Sequence, residues 1–217
     1  MKRKGFTLIE MLVVIGIIAV LMGVTLGSVS KFLKSADKAR CQELVSNTAT
    51  ALTVLFQREG VWPKALREGH KGSHMLDEDA ALPLAKGGYM SLTLERDENG
   101  RVKKPEKIVG YDRHGIVSPW AYTIIKKRGN SVDLSTKVPG IGKMNFQDHI
   151  LRYAIDLDGD GVIPGVNIGG ESIDIRATAA VWFEAKDNNG ISVPYSRGTR
   201  GGGVYSWTVG QTREVQK

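Results

Sequence analysis

The chain has 217 residues, 41% hydrophobic and 24% charged, and a formal net charge of +7. Of its 30 basic side chains, Lys2, Arg3 and Lys4 precede Gly5, and the remainder exceed the 23 acidic ones only slightly. This small excess argues against a dedicated nucleic-acid binder. The single cysteine, Cys41, excludes an intrachain disulfide, and more than 150 residues beyond an N-terminal helix suffice for one domain with its own core.

The N-terminus joins a short basic leader to a long apolar run. From Met11 to Ser30 there is no charged residue, about the length that spans a bilayer as a helix. A secretory signal peptide places its small-residue cleavage site after the apolar region, whereas here Gly5 lies before it. Cleavage at Gly5 therefore removes residues 1–5 and keeps a membrane-spanning helix, predicted over residues 6–28.

Glu10 is the acidic residue at the start of this apolar region. A carboxylate costs about 3 kcal/mol at the centre of a bilayer, so it needs either a position near the interface or a partner. Two interpretations remain open: a role in assembly with another subunit, and a glutamate whose carboxylate only reaches to water.

The helical pattern continues beyond the apolar run. Residues at spacings of three and four define one apolar face, made of Cys41, Val45, Thr48, Leu52 and Leu55. Gly60 followed by Pro63 is a helix-stop signal. The sequence therefore predicts one helix from Phe6 to about Arg58, with residues 29–59 as its amphipathic second half, and places Cys41 among buried residues.

Residues 60–217 are predicted to form a globular domain rich in strands. A short helical turn is expected near Asp79 to Leu84, and turn signals occur at DENG (97–100), at 128–130 and at DNNG (187–190). The strand candidates are 90–94, 102–109, 120–126, 149–156, 173–183 and 204–209. The predicted fold class is α+β, a long N-terminal helix packed on an antiparallel β-sheet domain.

The segment Asp156-Leu157-Asp158-Gly159-Asp160-Gly161 is the strongest chemical pattern in the chain. Carboxylates at alternating positions followed by a glycine match the first half of a calcium loop, and Val162 is placed to offer its backbone carbonyl. The twelfth position is Asn167 rather than a bidentate glutamate, which leaves Asn167, Glu171 or Asp174 as completing ligands. The predicted cofactor is calcium, and the alternative is an acidic turn without an ion.

The string KGFTLIEMLVVIGIIAVL resembles the N-terminus of type IV pilins and of type II secretion pseudopilins. The resemblance implies that prepilin peptidase cuts between Gly5 and Phe6 and methylates Phe6. It also implies that Glu10 pairs with the freed N-terminus of a neighbouring subunit during assembly. An ordinary signal anchor is the alternative, but it gives no reason for Glu10.

A second resemblance covers the C-terminal half and is closest to the major pseudopilins of type II secretion, which have a calcium-stabilised C-terminal region. It is carried by Pro119-Trp120, YAIDLDGDG (153–161), Ala180-Val181-Trp182 and Tyr205-Ser206-Trp207. Ala121 stands where a glycine is usual, and about 25 residues are inserted between Ile124 and Gln147. Many type IVa pilins also carry a C-terminal disulfide, which this chain cannot form.

The resemblance implies a single-pass protein of the bacterial inner membrane, with its C-terminal domain in the periplasm. Such a subunit polymerises into a homo-oligomeric helical filament, periplasmic or extracellular, that drives protein secretion. Its expected partners are prepilin peptidase, other pseudopilins and the inner-membrane assembly platform. The alternative is a pilin of a surface pilus that serves adhesion, twitching motility or DNA uptake.

Nothing in the sequence supports catalysis. The four histidines, His70, His74, His114 and His149, are scattered, and the His70/His74 spacing falls in a glycine-rich segment. There is no Ser or Cys nucleophile motif and no phosphate-binding glycine loop. A membrane-anchored calcium-dependent enzyme or carbohydrate-binding module is therefore disfavoured, and the protein is predicted not to be an enzyme.

Overall fold

The computed structural model describes residues 8–67, 74–104, 106–108, 115–121, 135–138, 142–145, 149–168, 170–184, 203–207 and 212–214. The helices in these ranges are α1 (Leu8–Glu59), α2 (Lys64–Arg67) and α3 (Glu78–Lys86). The strands are β1 (His74–Met75), β2 (Ser135–Val138), β3 (Gly142–Asn145), β4 (Arg152–Ile155), β5 (Ile163–Ile168), β6 (Glu171–Ile175), β7 (Ala179–Phe183), β8 (Val204–Tyr205) and β9 (Thr212–Glu214). The predicted α+β class is confirmed.

Helix α1 has 52 residues, about 78 Å at 1.5 Å per residue. It ends where the sequence indicates, because Gly60 has a φ of 70° and donates its N–H to the Phe56 carbonyl at 2.9 Å. The predicted inner face is confirmed: Cys41, Val45, Thr48, Leu52 and Leu55 are each at most 1% exposed.

The first half of α1 is exposed wherever the structure describes its side chains. Its large apolar side chains between Leu8 and Met22 are 44% to 82% exposed. Among the residues that the structure describes, no helix combines the length and the apolar character needed to cross a membrane.

The central sheet has the order β1-β4-β7-β8, with antiparallel pairing throughout. Strand β7 is buried at all five residues, because both faces of the sheet are covered. One face packs into a core with α1, α2 and α3 through Tyr153, Ile155, Val181 and Phe183. The other face packs against β5 and β6 through Ala154, Ala180 and Trp182.

A second sheet has the order β5-β6-β9, and β2 with β3 forms a separate hairpin. Neither the hairpin nor β5 was expected from the sequence. Pro164 and Gly165 make β5 look like a loop, but β5 is an edge strand, where proline is tolerated. Its register with β6 shifts between Ile163 and Val166, and Gly165 has a φ of 64°.

Two predicted strands were wrong in detail. The candidate 120–126 begins inside a helical turn at 119–121. The Ser118 Oγ caps this turn by accepting the Ala121 N–H at 3.3 Å, and Pro119 suits the first helical position. Residues 122–126 lie outside the described ranges. The candidate 173–183 is divided between β6 and β7, which belong to different sheets.

Other predictions were confirmed, some with different lengths. The turn at DENG is confirmed by bridges that pair Leu94 with Ile108 and Arg96 with Val102. The short helical turn expected near Asp79 is the nine-residue α3, whose N-cap Asp77 accepts the Ala80 N–H at 2.9 Å.

Candidate functional site

The acidic loop follows β4 directly and begins with a buried aspartate. Asp156 is 2% exposed and donates its backbone N–H to the Thr178 carbonyl at 3.0 Å, which ties the loop to the turn before β7. Asp158 and Asp160 are exposed. One carboxylate oxygen from each of the three aspartates lies within 4.8 Å of the others, so the structure brings these predicted ligands together.

Hydrogen bonds inside the loop fix its shape. The two carboxylate oxygens of Asp156 accept the N–H groups of Gly159 and Gly161, each at 2.8 Å. Asp160 accepts the Val162 N–H at 2.7 Å. Gly159 and Gly161 have φ values of 78° and 83°, which residues with a side chain rarely adopt. The alternation of aspartate and glycine therefore produces a turn that gathers carboxylates on one side.

The three carboxylates fit the coordination of calcium. Two oxygens bound to one calcium ion at 2.3–2.6 Å can be about 5 Å apart at most, and the cluster satisfies this limit. Each carboxylate oxygen has two lone pairs, so Asp156 can accept an N–H and still bind a cation. Calcium takes six to eight oxygens, and backbone carbonyls such as that of Val162, with water, have to supply the remainder.

Two of the three proposed completing ligands, Glu171 and Asp174, do not belong to this cluster among the described residues. Asn167 lies on β5, five residues beyond Val162, and its Oδ1 accepts the Gly170 N–H at 3.1 Å. Asp174 accepts the Gly165 N–H at 2.9 Å. Among the described residues, neither Asp174 nor Glu171 has a carboxylate that clusters with those of the three aspartates in the loop. The chain leaves the aspartates along β5 and returns along β6, where Ile175 pairs with Ile163, but Asp174 there bonds to Gly165 and does not join the cluster.

Sequence reasoning missed a contact between the loop and the end of α1. The Trp62 Nε1–H donates to the Asp156 carbonyl at 2.5 Å. Trp62 is 2% exposed, and its ring stacks on Phe56 with centroids 4.7 Å apart. The available signal was a tryptophan two residues after the helix-stop glycine, but its partner is 94 residues away in sequence. The acidic loop is thus fastened to the helix and to the central sheet.

The Tyr-Ser-Trp motif has a structural role in this fold. Ser206 pairs with Val181 through its N–H and its Oγ, each at 2.9 Å. Trp207 lies edge-on to Trp182 at 5.6 Å and is tilted against Tyr205 at 4.9 Å. Burial raises the pKa of Tyr205, so the phenol stays neutral. These contacts hold residues 203–207 against the edge of β7 that does not pair with β4.

The N-terminal candidates are only partly covered. The cleavage site at Gly5 and Phe6 lies outside the described residues. Glu10 is exposed in the first turn of the described α1, surrounded by exposed apolar side chains. Of the histidines, His74 is on β1 and His149 is buried beside Trp120, with ring centroids 5.4 Å apart; His70 and His114 lie outside the described ranges.

Comparisons with known proteins identify one family motif and several relatives. Residues 1–26 match the family described as the prokaryotic N-terminal methylation motif. The chain is similar to the type IV major pilin protein PilE of Neisseria gonorrhoeae, with 34% identity over 62 residues, 29% of this chain and 37% of PilE. It is also similar to the ComG operon protein 3 homolog of Bacillus licheniformis, with 42% identity over 53 residues, 24% of this chain and 55% of that protein.

The similarity to a third relative is more extensive. The competence protein ComGC of Bacillus subtilis is 32% identical over 87 residues, which are 40% of this chain and 87% of ComGC. The chain spans about half or less of the other two relatives. No solved structure matches the chain. On the methylation motif and the near-complete coverage of ComGC, the chain belongs to the family of type IV pilin-like proteins.

Proposed function

We propose that this protein is the structural subunit of a helical filament and has no enzymatic activity. The observation that carries the proposal is the long helix that begins inside a methylation motif and exposes apolar side chains on all sides of its first half. An exposed apolar surface of this extent marks an interaction site. Lipid covers it before assembly, and other subunits cover it afterwards.

The precursor is processed at Gly5 and anchored in the inner membrane by residues 6–28, with residues 60–217 in the periplasm. The uncharged run from Met11 to Ser30 supports the anchor. Prepilin peptidase removes residues 1–5 and methylates Phe6. Glu10 then pairs with the N-terminus of a neighbouring subunit as the helix leaves the membrane. The contacts are heterologous and do not close, so they generate an open filament.

The filament serves a type II secretion system in this proposal, together with other pseudopilins and an assembly platform. The C-terminal strings around Trp182, Tyr205 and Trp207 support it. A pilus for DNA uptake, adhesion or twitching motility is the second candidate, because the relatives are named a type IV major pilin and a competence protein.

Calcium is the proposed cofactor of the acidic loop. Asp156, Asp158 and Asp160 supply carboxylates, and Val162 supplies its carbonyl. The support is the clustering of the three carboxylates by hydrogen bonds within the loop. The ion adds stability to the C-terminal half and takes no part in a reaction.

A deletion strain tests the proposal and separates its alternatives. We expect filaments in wild-type cells by electron microscopy with an antibody to the domain, and none in the deletion strain. Loss of exoprotein from the medium, with normal transformation and motility, supports the secretion role. Loss of transformation or motility with normal secretion supports the second candidate. Wild-type cells in which the protein stays in the membrane and never enters filaments would refute both.

A further inference from the structure

A basic segment of α1 follows the uncharged run directly. Residues 31–40, KFLKSADKAR, contain four basic side chains and one acidic one, so the segment has a net charge of +3. The acidic residue, Asp37, has its Oδ1 3.8 Å from the Arg40 Nη1. The other three basic residues of the segment are lysines, and we call them the lysine stripe: Lys31, Lys34 and Lys38.

The lysine stripe lies on one face of α1. Spacings of three and four residues separate Lys31, Lys34 and Lys38, so the stripe is about 10 Å long. Cys41 and Val45 continue the same face, three and seven residues beyond Lys38, and both are fully buried in the core of the domain. Lys38 itself is exposed. The face of α1 that packs in the core therefore becomes a charged face at the point where burial by the domain ends.

The lysine stripe lies next to the segment that is proposed to cross the membrane. The uncharged run ends at Ser30, and Lys31 follows it. With residues 6–28 in the hydrocarbon core, the stripe begins about 4 Å beyond the core and extends to about 15 Å. The headgroup layer on each side of the core is about 5–8 Å thick. Because helix side chains tilt toward the N-terminus, here the membrane side, a lysine one or two turns beyond the core can reach back to the headgroups.

Processing at Gly5 leaves the lysine stripe as the main group of cations beside the membrane. The leader carries three basic side chains within residues 1–5, and these belong to the cytoplasmic side. Cleavage removes them, and residues 6–30 contain no lysine or arginine. The mature chain therefore keeps its basic side chains near the membrane on the periplasmic side only. Near an anionic membrane surface, each such cation strengthens binding by about fivefold.

We infer that the lysine stripe binds anionic lipid headgroups on the periplasmic face of the inner membrane. The inference rests on the proposed function, because it needs residues 6–28 in the membrane, and it adds a lipid-binding surface to that function. The group recognised is the phosphate of a lipid whose headgroup has a net negative charge. This binding fixes the depth of the mature subunit before assembly, and extraction of the helix into a filament has to break it.

The lipid selectivity of the full processed chain tests the inference. The chain is placed in phosphatidylcholine nanodiscs, and spin-labelled phosphatidylglycerol and phosphatidylcholine report which lipid is held at the protein. We expect phosphatidylglycerol to be favoured by at least about fivefold in the wild type. Salt at about 1 M should remove most of this preference, because the Debye length is then about 3 Å.

Two triple variants with the same loss of charge locate the binding surface. The first neutralises the lysine stripe with Lys31→Gln, Lys34→Gln and Lys38→Gln, and it should hold both lipids about equally. The control neutralises three exposed lysines of the domain with Lys103→Gln, Lys104→Gln and Lys107→Gln, and it should keep the preference of the wild type. An unchanged preference in the first variant, or an equal loss in the control, would overturn the inference.

Further outcomes identify the ligand and separate the inference from the proposed function. Inorganic phosphate should displace the labelled phosphatidylglycerol no better than chloride at equal ionic strength. Stronger displacement by phosphate would show a site for the free anion and overturn the inference. A wild type that keeps its lipid preference but forms no filaments in cells would refute the proposed function and leave the inference standing. A processed chain that does not insert into the nanodisc would overturn the inference together with the proposed membrane anchor.

Discussion

Two alanine substitutions in the acidic loop should have different effects on stability. Asp158 is exposed, and the hydrogen bonds that shape the loop are made by Asp156 and Asp160. Asp158→Ala therefore removes a proposed calcium ligand and leaves those bonds in place. Asp156→Ala removes a proposed ligand and both acceptors of the Gly159 and Gly161 N–H groups.

The expected magnitudes follow from these contacts. An unsatisfied N–H costs about 1–3 kcal/mol when buried. Because Gly159 and Gly161 are exposed, water partly replaces the lost acceptors, and Asp156→Ala should cost about 2 kcal/mol without calcium. Calcium at about a hundredfold above its dissociation constant adds about 2.7 kcal/mol to the wild type. For a domain of this size that increment raises the melting temperature by roughly 5–11 °C.

Calorimetry on residues 29–217, first in chelator and then in calcium, measures both effects. The wild type should melt higher in calcium than in chelator, and magnesium should do less because it requires a tighter octahedral site. Asp158→Ala should melt like the chelated wild type under both conditions. Asp156→Ala should melt lower even in chelator. A wild type with no binding heat and no shift on calcium addition would show that the loop is an acidic turn without an ion.

Four further outcomes are expected. Intact mass spectrometry of filaments should show subunits that begin at a methylated Phe6, and Gly5→Leu should block cutting; subunits that begin at Met1 would contradict this. Glu10→Val should reduce filament length and yield while membrane insertion is retained, and normal filaments would show that the carboxylate is not needed. Leu52→Ala should lower the free energy of unfolding by about 2–5 kcal/mol, measured by denaturant titration, because its fully buried side chain leaves a cavity. Burial lowers the pKa of His74 below 6.5, so as the pH falls the unfolded chain binds a proton at this histidine before the folded chain does. The free energy of unfolding should therefore fall as the pH drops through 6.5, as measured by denaturant titration. An equally steep fall in the His74→Gln variant would show that other groups cause it.

The sequence predicted α1 well because its signals are local and repeated. A period of 3.6 over many turns identifies both the helix and its inner face, and Gly60 with Pro63 gives its end. The structure places Cys41, Val45 and Leu52 on that face with no exposure. The first half of α1 carried no such period, since an apolar residue stands on every side.

The strands were harder because their pairing is not local. Strand β5 contains Pro164 and Gly165, which are turn residues in most contexts, and only its position at an edge allows them. The strand-like pattern from 173 to 183 hides a change of sheet, since Arg176, Ala177 and Thr178 include no glycine or proline to mark it. Sheet membership depends on partners that lie elsewhere in the chain.

The candidate site shows the same division between local and distant information. The clustering of Asp156, Asp158 and Asp160 could be predicted because alternation within six residues determines the turn. The placement of Asn167 could not, because it depends on the direction that β5 takes after Val162.

Asp156 has a structural position that its sequence neighbours do not reveal. Its carbonyl accepts the Trp62 indole N–H and its N–H reaches the Thr178 carbonyl. One residue thereby joins the end of α1, the end of β4 and the turn before β7. A cation held by the Asp156 carboxylate would strengthen a junction between distant parts of the chain, as a disulfide does in many exported proteins. With Cys41 as its one cysteine, this chain cannot make that junction with an intrachain disulfide, and the hydrogen bonds of Asp156 make it instead.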